Sequence, residues 1–225
     1  MKPLIVLFGV LLVLSAAFAI SGATVLGSAA QRGRWLGLAG SSVVTEGGNV
    51  TNLNITGATL TDRWASFYGN TSGSIVLTDA NATNDVYFWT LNTSSSGLVC
   101  VSENGTFGWS SSAAATGAQV NSAWSLGTMA DNATNTFTNS AACNINMTQA
   151  FVSSSARVNH TGLSTYWTCA IGNGINTVKT DFAFCTNITA SGTNWNGEAT
   201  NYEIMVPTTP GIGTLETYYF YAQLS

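Results

Sequence analysis

The sequence predicts an all-β fold, a β-sandwich of jelly-roll or Ig-like type with about nine antiparallel strands and an extended N-terminal arm. Three observations lead there. Short runs of Val, Ile, Thr, Phe, Tyr and Trp recur at close spacing, as half-buried pleated surfaces favour. Gly, Asn and Asp, the residues that supply tight turns, separate them. Helical stretches are few: only the Ala-rich segments 111–124 and 139–151 have the composition for a turn or two of helix.

In chain order, residues 50–55 (VTNLNI) alternate at Leu53 and Ile55. GSIVLTD (73–79) and DVYFWTL (85–91) flank the Asn-rich turn ANATN, a hairpin signal. SGLVCVSENGTFGW carries another strand and a turn at Asn104-Gly105. Further strands are expected at 151–158, 164–171, 180–188, 201–206 and 217–224, with Pro207 and Pro210 marking the loop before the last. Trp64, Phe67, Tyr68, Phe88 and Trp89 lie in the most strand-like stretch and are assigned to the core.

Composition narrows the function. Of 225 residues, 45% are apolar, enough for a sizeable core, and 7% are charged, against about 25% in an ordinary soluble domain. That excludes a disordered chain, which is charged and poor in apolar residues, and a coiled coil, which needs abundant Glu and Lys. A net charge of −4 provides no basic patch for nucleic acid. A surface so poor in charge self-associates unless something covers it, and attached sugar or burial in a polymer are the two covers available.

Three regions are expected: a secretory leader at 1–19, an arm at 20–46, and a single domain at 47–225. Lys2 supplies the positive start of the leader, Leu4 to Leu14 its apolar stretch, and Ala17-Phe18-Ala19 the small-x-small cleavage pattern. Membrane contact is expected only through this leader, before cleavage. The arm is rich in Gly, Ala and Ser with scattered apolar residues.

In a secreted chain, Cys100, Cys143, Cys169 and Cys185 form an even set, read as two disulfides. Four cysteines allow three pairings. Cys169–Cys185 is favoured, because those residues flank a Gly/Asn turn between two apolar strands, which leaves Cys100–Cys143. Zinc is not expected, since no C-x-x-C pair exists and the single His160 sits nine residues before Cys169. N-x-[ST] sequons occur at Asn49, Asn54, Asn70, Asn81, Asn92, Asn104, Asn132, Asn146, Asn159 and Asn187. The Asn, Ser and Thr content would place about five by chance, so the excess points to an N-glycosylated surface.

Nothing selects a reaction, and no catalytic, cofactor or metal residues are assigned. The oxygen-rich turn Asp79, Asn81, Asn84, Asp85 holds Asn84 and Thr90 where an EF-hand needs Gly and Glu. His160 lies inside a sequon, with no G-x-S-x-G elbow in the chain. Glu198 and Glu203 are five apart, on opposite faces if both lie on a strand, and Glu216 opens the last strand.

Residues 64–89, WASFYGNTSGSIVLTDANATNDVYFW, resemble the secreted β-rich surface glycoproteins of archaea. These carry a W-x-x-[FY]-Y-G-N-x-[ST]-G-x-I-x-L-x-D run followed by an aromatic strand, here Tyr87, Phe88 and Trp89. DFAFC (181–185), NYEIMVPT (201–208) and the YYFYAQL ending resemble the same group. In architecture the chain also resembles archaeal thread-like and bundling-pilus subunits. That resemblance implies a glycosylated sandwich lacking one strand, completed by the N-terminal strand of the next subunit. The expected function is therefore a structural subunit of an extracellular filament, serving adhesion or cell–cell contact, with identical subunits and covalent N-glycans as its partners. Val25, Leu26, Trp35, Leu36, Leu38, Val43 and Val44 are the candidate donor-strand residues, here in a long Gly-rich arm. The alternative is a monomeric or surface-displayed glycosylated adhesin or carbohydrate-binding module, whose aromatics would include an exposed platform.

Overall fold

The computed structural model describes residues 21–22, 42, 44, 46–48, 50, 52, 61–81, 83–91, 96–139, 143–211 and 215–224. The leader lies outside them, as do Val25, Leu26, Trp35, Leu36, Leu38 and Val43 of the arm. Val44 and Val50 are fully exposed and lie in no strand.

The fold is all-β, as expected. Its strands are β1 (Ser21–Gly22), β2 (Trp64–Gly69), β3 (Gly73–Thr78), β4 (Asp85–Leu91), β5 (Gly97–Ser102), β6 (Ala113–Ala114), β7 (Cys143–Asn146) and β8 (Phe151–Ser155). They continue as β9 (Arg157–Asn159), β10 (Trp167–Gly172), β11 (Phe182–Ile188), β12 (Gly192–Thr193), β13 (Ala199–Thr200), β14 (Tyr202–Pro207) and β15 (Tyr219–Leu224). Two short helices, α1 (Gly117–Ala123) and α2 (Ala133–Thr136), interrupt them.

A central antiparallel sheet runs in the order β1-β15-β5-β11-β10-β6, with β9 also paired to β10. Its inner strands GLVCVS, WTCAIG and FAFCTNI are apolar at consecutive positions, the pattern of strands covered on both faces. The pleat sends Leu98, Cys100, Cys169, Ile171, Ala183, Cys185 and Tyr221 to one face, where the β7–β8 hairpin closes over them with Ile145, Met147 and Val152. Val101, Ala170, Phe182 and Phe184 face the other way, under Ile204 and Val206 of the β2–β14 ribbon and under Val120, Trp124, Leu126 and Phe137 of the helical segment. Sheet and covers thus enclose two apolar cores, one on each face of the central sheet.

Local chemistry accounts for the smaller elements. Helix α1 begins in a capping box: Thr116 Oγ1 accepts the Gln119 N–H at 3.2 Å and Gln119 Oε1 accepts the Thr116 N–H at 2.9 Å. The 111–124 expectation is met by this helix. The 139–151 expectation is corrected, because Cys143–Asn146 is a strand with Cys143 and Ile145 buried and Asn144 and Asn146 exposed. That alternation is period two, and Ala-rich composition masked it. Strand β2 emerges as the partner of β14, in register from Trp64↔Pro207 to Gly69↔Tyr202.

The disulfides are Cys100–Cys185 and Cys143–Cys169, correcting the expected pairing. Cys100, Cys185 and Cys169 occupy one rung across β5, β11 and β10, all on one face. Cys185 therefore has a cysteine on either side. The hairpin turn in the sequence reveals only one of them. Cys143 descends from the covering layer onto Cys169, which leaves Cys185 to Cys100.

Candidate functional site: an apolar hairpin beside a sheet edge

The hairpin β3–β4 carries the most unusual surface. Its register pairs Ile75 with Trp89, Val76 with Phe88 and Leu77 with Tyr87, with a bulge between Leu77 and Thr78. The turn is tied by Asp79, whose Oδ1 accepts the Thr83 N–H at 2.7 Å and the Asn84 N–H at 3.4 Å. The Thr83 N–H, foremost, holds that carboxyl below its usual range. This explains the cluster of oxygens around Asn81 as turn chemistry.

The ribbon is apolar on both faces, and neither is covered within the described residues. Leu77, Tyr87 and Trp89 stand on one face; Val76 and Phe88 occupy the other. Phe88 is 57% exposed, Tyr87 55% and Leu77 58%. Tyr68 is exposed too, so the core assignment holds in part for the half-buried Trp64 and Phe67 and fails for Tyr68, Phe88 and Trp89. Strand composition shows a pleated apolar surface without showing what lies over it. An isolated two-stranded ribbon is marginal in water, and contiguous exposed apolar surface of this kind marks an interaction site.

The base of the hairpin meets β15. A Cβ at Gly73 would lie 2.6 Å from Leu224 Cδ1, so a larger residue there would push the Leu224 side chain aside. Along its other edge β15 pairs, among the described residues, with Ser21 and Gly22, opposite Ala222 and Tyr221. The first described residues of the arm thus lie antiparallel on the edge strand, next to the exposed hairpin. Most of the β15 backbone edge extends past this two-residue pairing.

The sequons separate by accessibility. Asn70, Asn81, Asn146, Asn159 and Asn187 are exposed. Asn104 is half-buried, its Nδ2 donating to the Thr180 carbonyl at 3.2 Å. Asn132 is buried as the N-cap of α2: its side chain accepts the Asn135 N–H at 2.9 Å and donates to the Gly127 carbonyl at 3.2 Å. Asn49, Asn54 and Asn92 lie outside the described residues.

His160 turns inward while Asn159 beside it faces out. Its Nδ1 lies 2.7 Å from Glu203 Oε1 and its Nε2 2.9 Å from Thr168 Oγ1. Glu203 Oε2 accepts the Trp195 N–H at 2.7 Å, and Thr168 Oγ1 accepts the Met205 N–H at 2.9 Å. This hydroxyl–imidazole–carboxylate chain has the order of a hydrolytic triad. Thr168 is fully buried and its oxygen is occupied by Met205, so no substrate reaches it. The chain instead straps β10 to β14 and the loop before β13. Sequence spacing separates Glu198 from Glu203; the fold gives them different partners, Glu198 accepting from Asn194 Nδ2 at 3.0 Å. Among the described residues no group of His, Cys, Asp and Glu is placed to hold a metal ion, and no helix is long and apolar enough to cross a membrane. No family model, no curated protein and no solved structure matches the chain.

Proposed function

We propose that the protein is a structural subunit of an extracellular, N-glycosylated filament, in which the N-terminal arm of one subunit adds as a strand to the β15 edge of the next. The observation that carries this reading is the apolar β3–β4 hairpin standing uncovered beside that edge. The pairing of Ser21–Gly22 with β15 supports the arm as occupant, because the same register made between copies turns self-pairing into strand exchange. An added strand satisfies the backbone groups of β15, while apolar arm residues such as Leu36 and Leu38 supply partners for Leu77, Tyr87 and Trp89. Head-to-tail repetition then grows an open fibre. Low charge removes the repulsion that would oppose side-by-side packing, and glycans on the exposed sequons keep the fibre solvated. The two disulfides suit an oxidising compartment.

Negative-stain electron microscopy of the secreted, glycosylated protein tests the proposal. Uniform filaments are expected from the native chain, and single-domain particles after deletion of residues 20–46 or in the double variant Phe88→Ser/Trp89→Ser. Filaments that persist without the arm would remove it as the donor. Single-domain particles from the native chain, together with binding on a glycan array, would establish the adhesin reading instead.

A further inference from the structure

Lys179 is the only lysine after Lys2, and the fold places it against a carboxylate. It lies in a single helical turn (Lys179–Asp181) leading into β11, and Glu216 lies just before β15. Lys179 Nζ is 2.5 Å from Glu216 Oε1. The carboxyl is fixed from several sides. Oε1 accepts the Thr209 N–H at 3.0 Å and the Thr209 hydroxyl at 2.5 Å, and Oε2 accepts the Tyr218 hydroxyl at 3.1 Å. Lys179 also contacts the Thr209 hydroxyl, and its ammonium stands 5.9 Å from the Trp124 ring. The Glu216 side chain is 10% exposed.

A third group completes the arrangement. Glu103, at the end of β5, neighbours Glu216. Its Oε1 is buried, and the Trp124 indole N–H and the Glu216 carboxyl both lie close to the same side chain. Burial first, and then the charge of Glu216, push the Glu103 carboxyl above its usual range. Burial also acts to raise Glu216, but hydrogen bonds from Lys179 and Thr209 outweigh it and hold that carboxyl below its usual range. The pair thus consists of one carboxyl suited to carry a proton and one held in contact with an amine.

We propose that Lys179 and Glu216 condense to an intramolecular isopeptide bond, with Glu103 relaying the protons. The Nζ–Cδ bond forms and one Cδ–O bond of Glu216 breaks. The ammonium loses two of its three protons, which leave with the carboxyl oxygen as water. Glu103 passes a proton to the departing oxygen, recovers one from Nζ and ends unchanged. No oxidant, nucleotide or metal enters the balance. The Thr209 N–H and hydroxyl sit where negative charge develops on Oε1 in the tetrahedral intermediate. Holding amine and carboxyl in contact supplies the effective concentration, which reaches about 10⁵–10⁸ M in well-oriented intramolecular reactions. The product would clamp the entry of β11 to the entry of β15 across β5, independently of whether the protein polymerises.

The test is intact-mass spectrometry of the folded, leader-free protein after reduction and denaturation. The native chain is expected one water lighter than its sequence, while Lys179→Arg and Glu216→Ala retain the full mass. Arg157 is the last arginine and Lys179 the last lysine. Trypsin should therefore release an uncut 158–225 fragment, one water light, and amine-reactive reagents should leave position 179 unlabelled. Full mass, with trypsin cutting after Lys179, would overturn the proposal and leave an ordinary ion pair. Glu103→Gln keeps the side-chain shape and should stay at full mass while showing native-like circular dichroism; a light Glu103→Gln protein would overturn the relay assignment.

Discussion

The two disulfides differ in the chain they enclose, and that difference is measurable. Cys100–Cys185 spans 85 residues, and Cys143–Cys169, spanning 26, lies wholly inside it. With the inner bond intact, the outer loop has about 60 residues of free contour, so loop-closure entropy assigns it about 4.2 kcal/mol and the inner bond about 3.5. All four cysteines are buried to 2% exposure or less, so replacing either pair by alanine removes similar apolar contact, and that contribution cancels in the comparison. The double variant Cys100→Ala/Cys185→Ala should therefore lose about 0.7 kcal/mol more than Cys143→Ala/Cys169→Ala. With a urea slope of about 2 kcal/mol/M, each double variant shifts the midpoint by roughly 2 M, the outer pair further by about 0.3 M. Equilibrium urea unfolding, followed by tryptophan fluorescence, reads the shift. A larger loss from the inner pair would refute the loop-entropy argument. A Cys169–Cys185 peptide in a non-reducing digest would refute the pairing itself.

Three further outcomes follow from the geometry. Asp181 accepts from the Thr177 and Val178 N–H groups at 2.9 and 3.0 Å and from Asn173 Nδ2 at 2.9 Å. Burial would raise its carboxyl, but those bonds outweigh it and hold it below 3.8; its contribution is thus complete above pH 3.8 and lost as pH falls through the lowered value. Asp181→Asn should cost about 2 kcal/mol at neutral pH and flatten the acid limb of a stability–pH curve; an unchanged limb would sink this account. Asn132→Gln removes the cap of α2 and should cost about 1 kcal/mol by thermal unfolding, whereas Asn146→Gln and Asn159→Gln should be neutral. Glycopeptide mapping of the secreted protein should find glycans on exposed sites such as Asn70, Asn159 and Asn187 and none on Asn132; an occupied Asn132 would show that modification precedes capping.

Much of the fold was legible because strands announce themselves locally. DVYFWTL, TDFAFCTNI and TYYFYAQL are strands for the reason their residues imply, and the Asn-rich turn between β3 and β4 is where its chemistry puts it. What stayed hidden depends on contacts made across long separations. Phe88 and Trp89 have core composition, yet whether a face is covered depends on a layer that the strand's own residues do not encode. Cys185 meets a cysteine on both sides only once β5 inserts beside β11. The site around Lys179 draws Glu103 from the loop after β5 and Thr209 and Glu216 from the connection between β14 and β15, and no spacing rule connects them. Period-two burial in CNIN was present in the sequence and is the one signal that a finer window would have recovered.

The position of β5 between β11 and β15 fixes the order in which the chain can close. Residues 97–102 wait for partners that begin 80 or more positions later, and the later of them is formed by residues 219–224. A chain emerging from its N-terminus thus holds the apolar strand β5 unpaired until both β11 and β15 have been made. Folding of this kind is slow and exposed to mispairing, because loop closure must precede the contacts that reward it. The delay also leaves Asn104, half-buried in the finished fold just after β5, accessible on an open chain before the sheet forms. In such a molecule the timing of closure, as much as the finished surface, sets which side chains carry modifications.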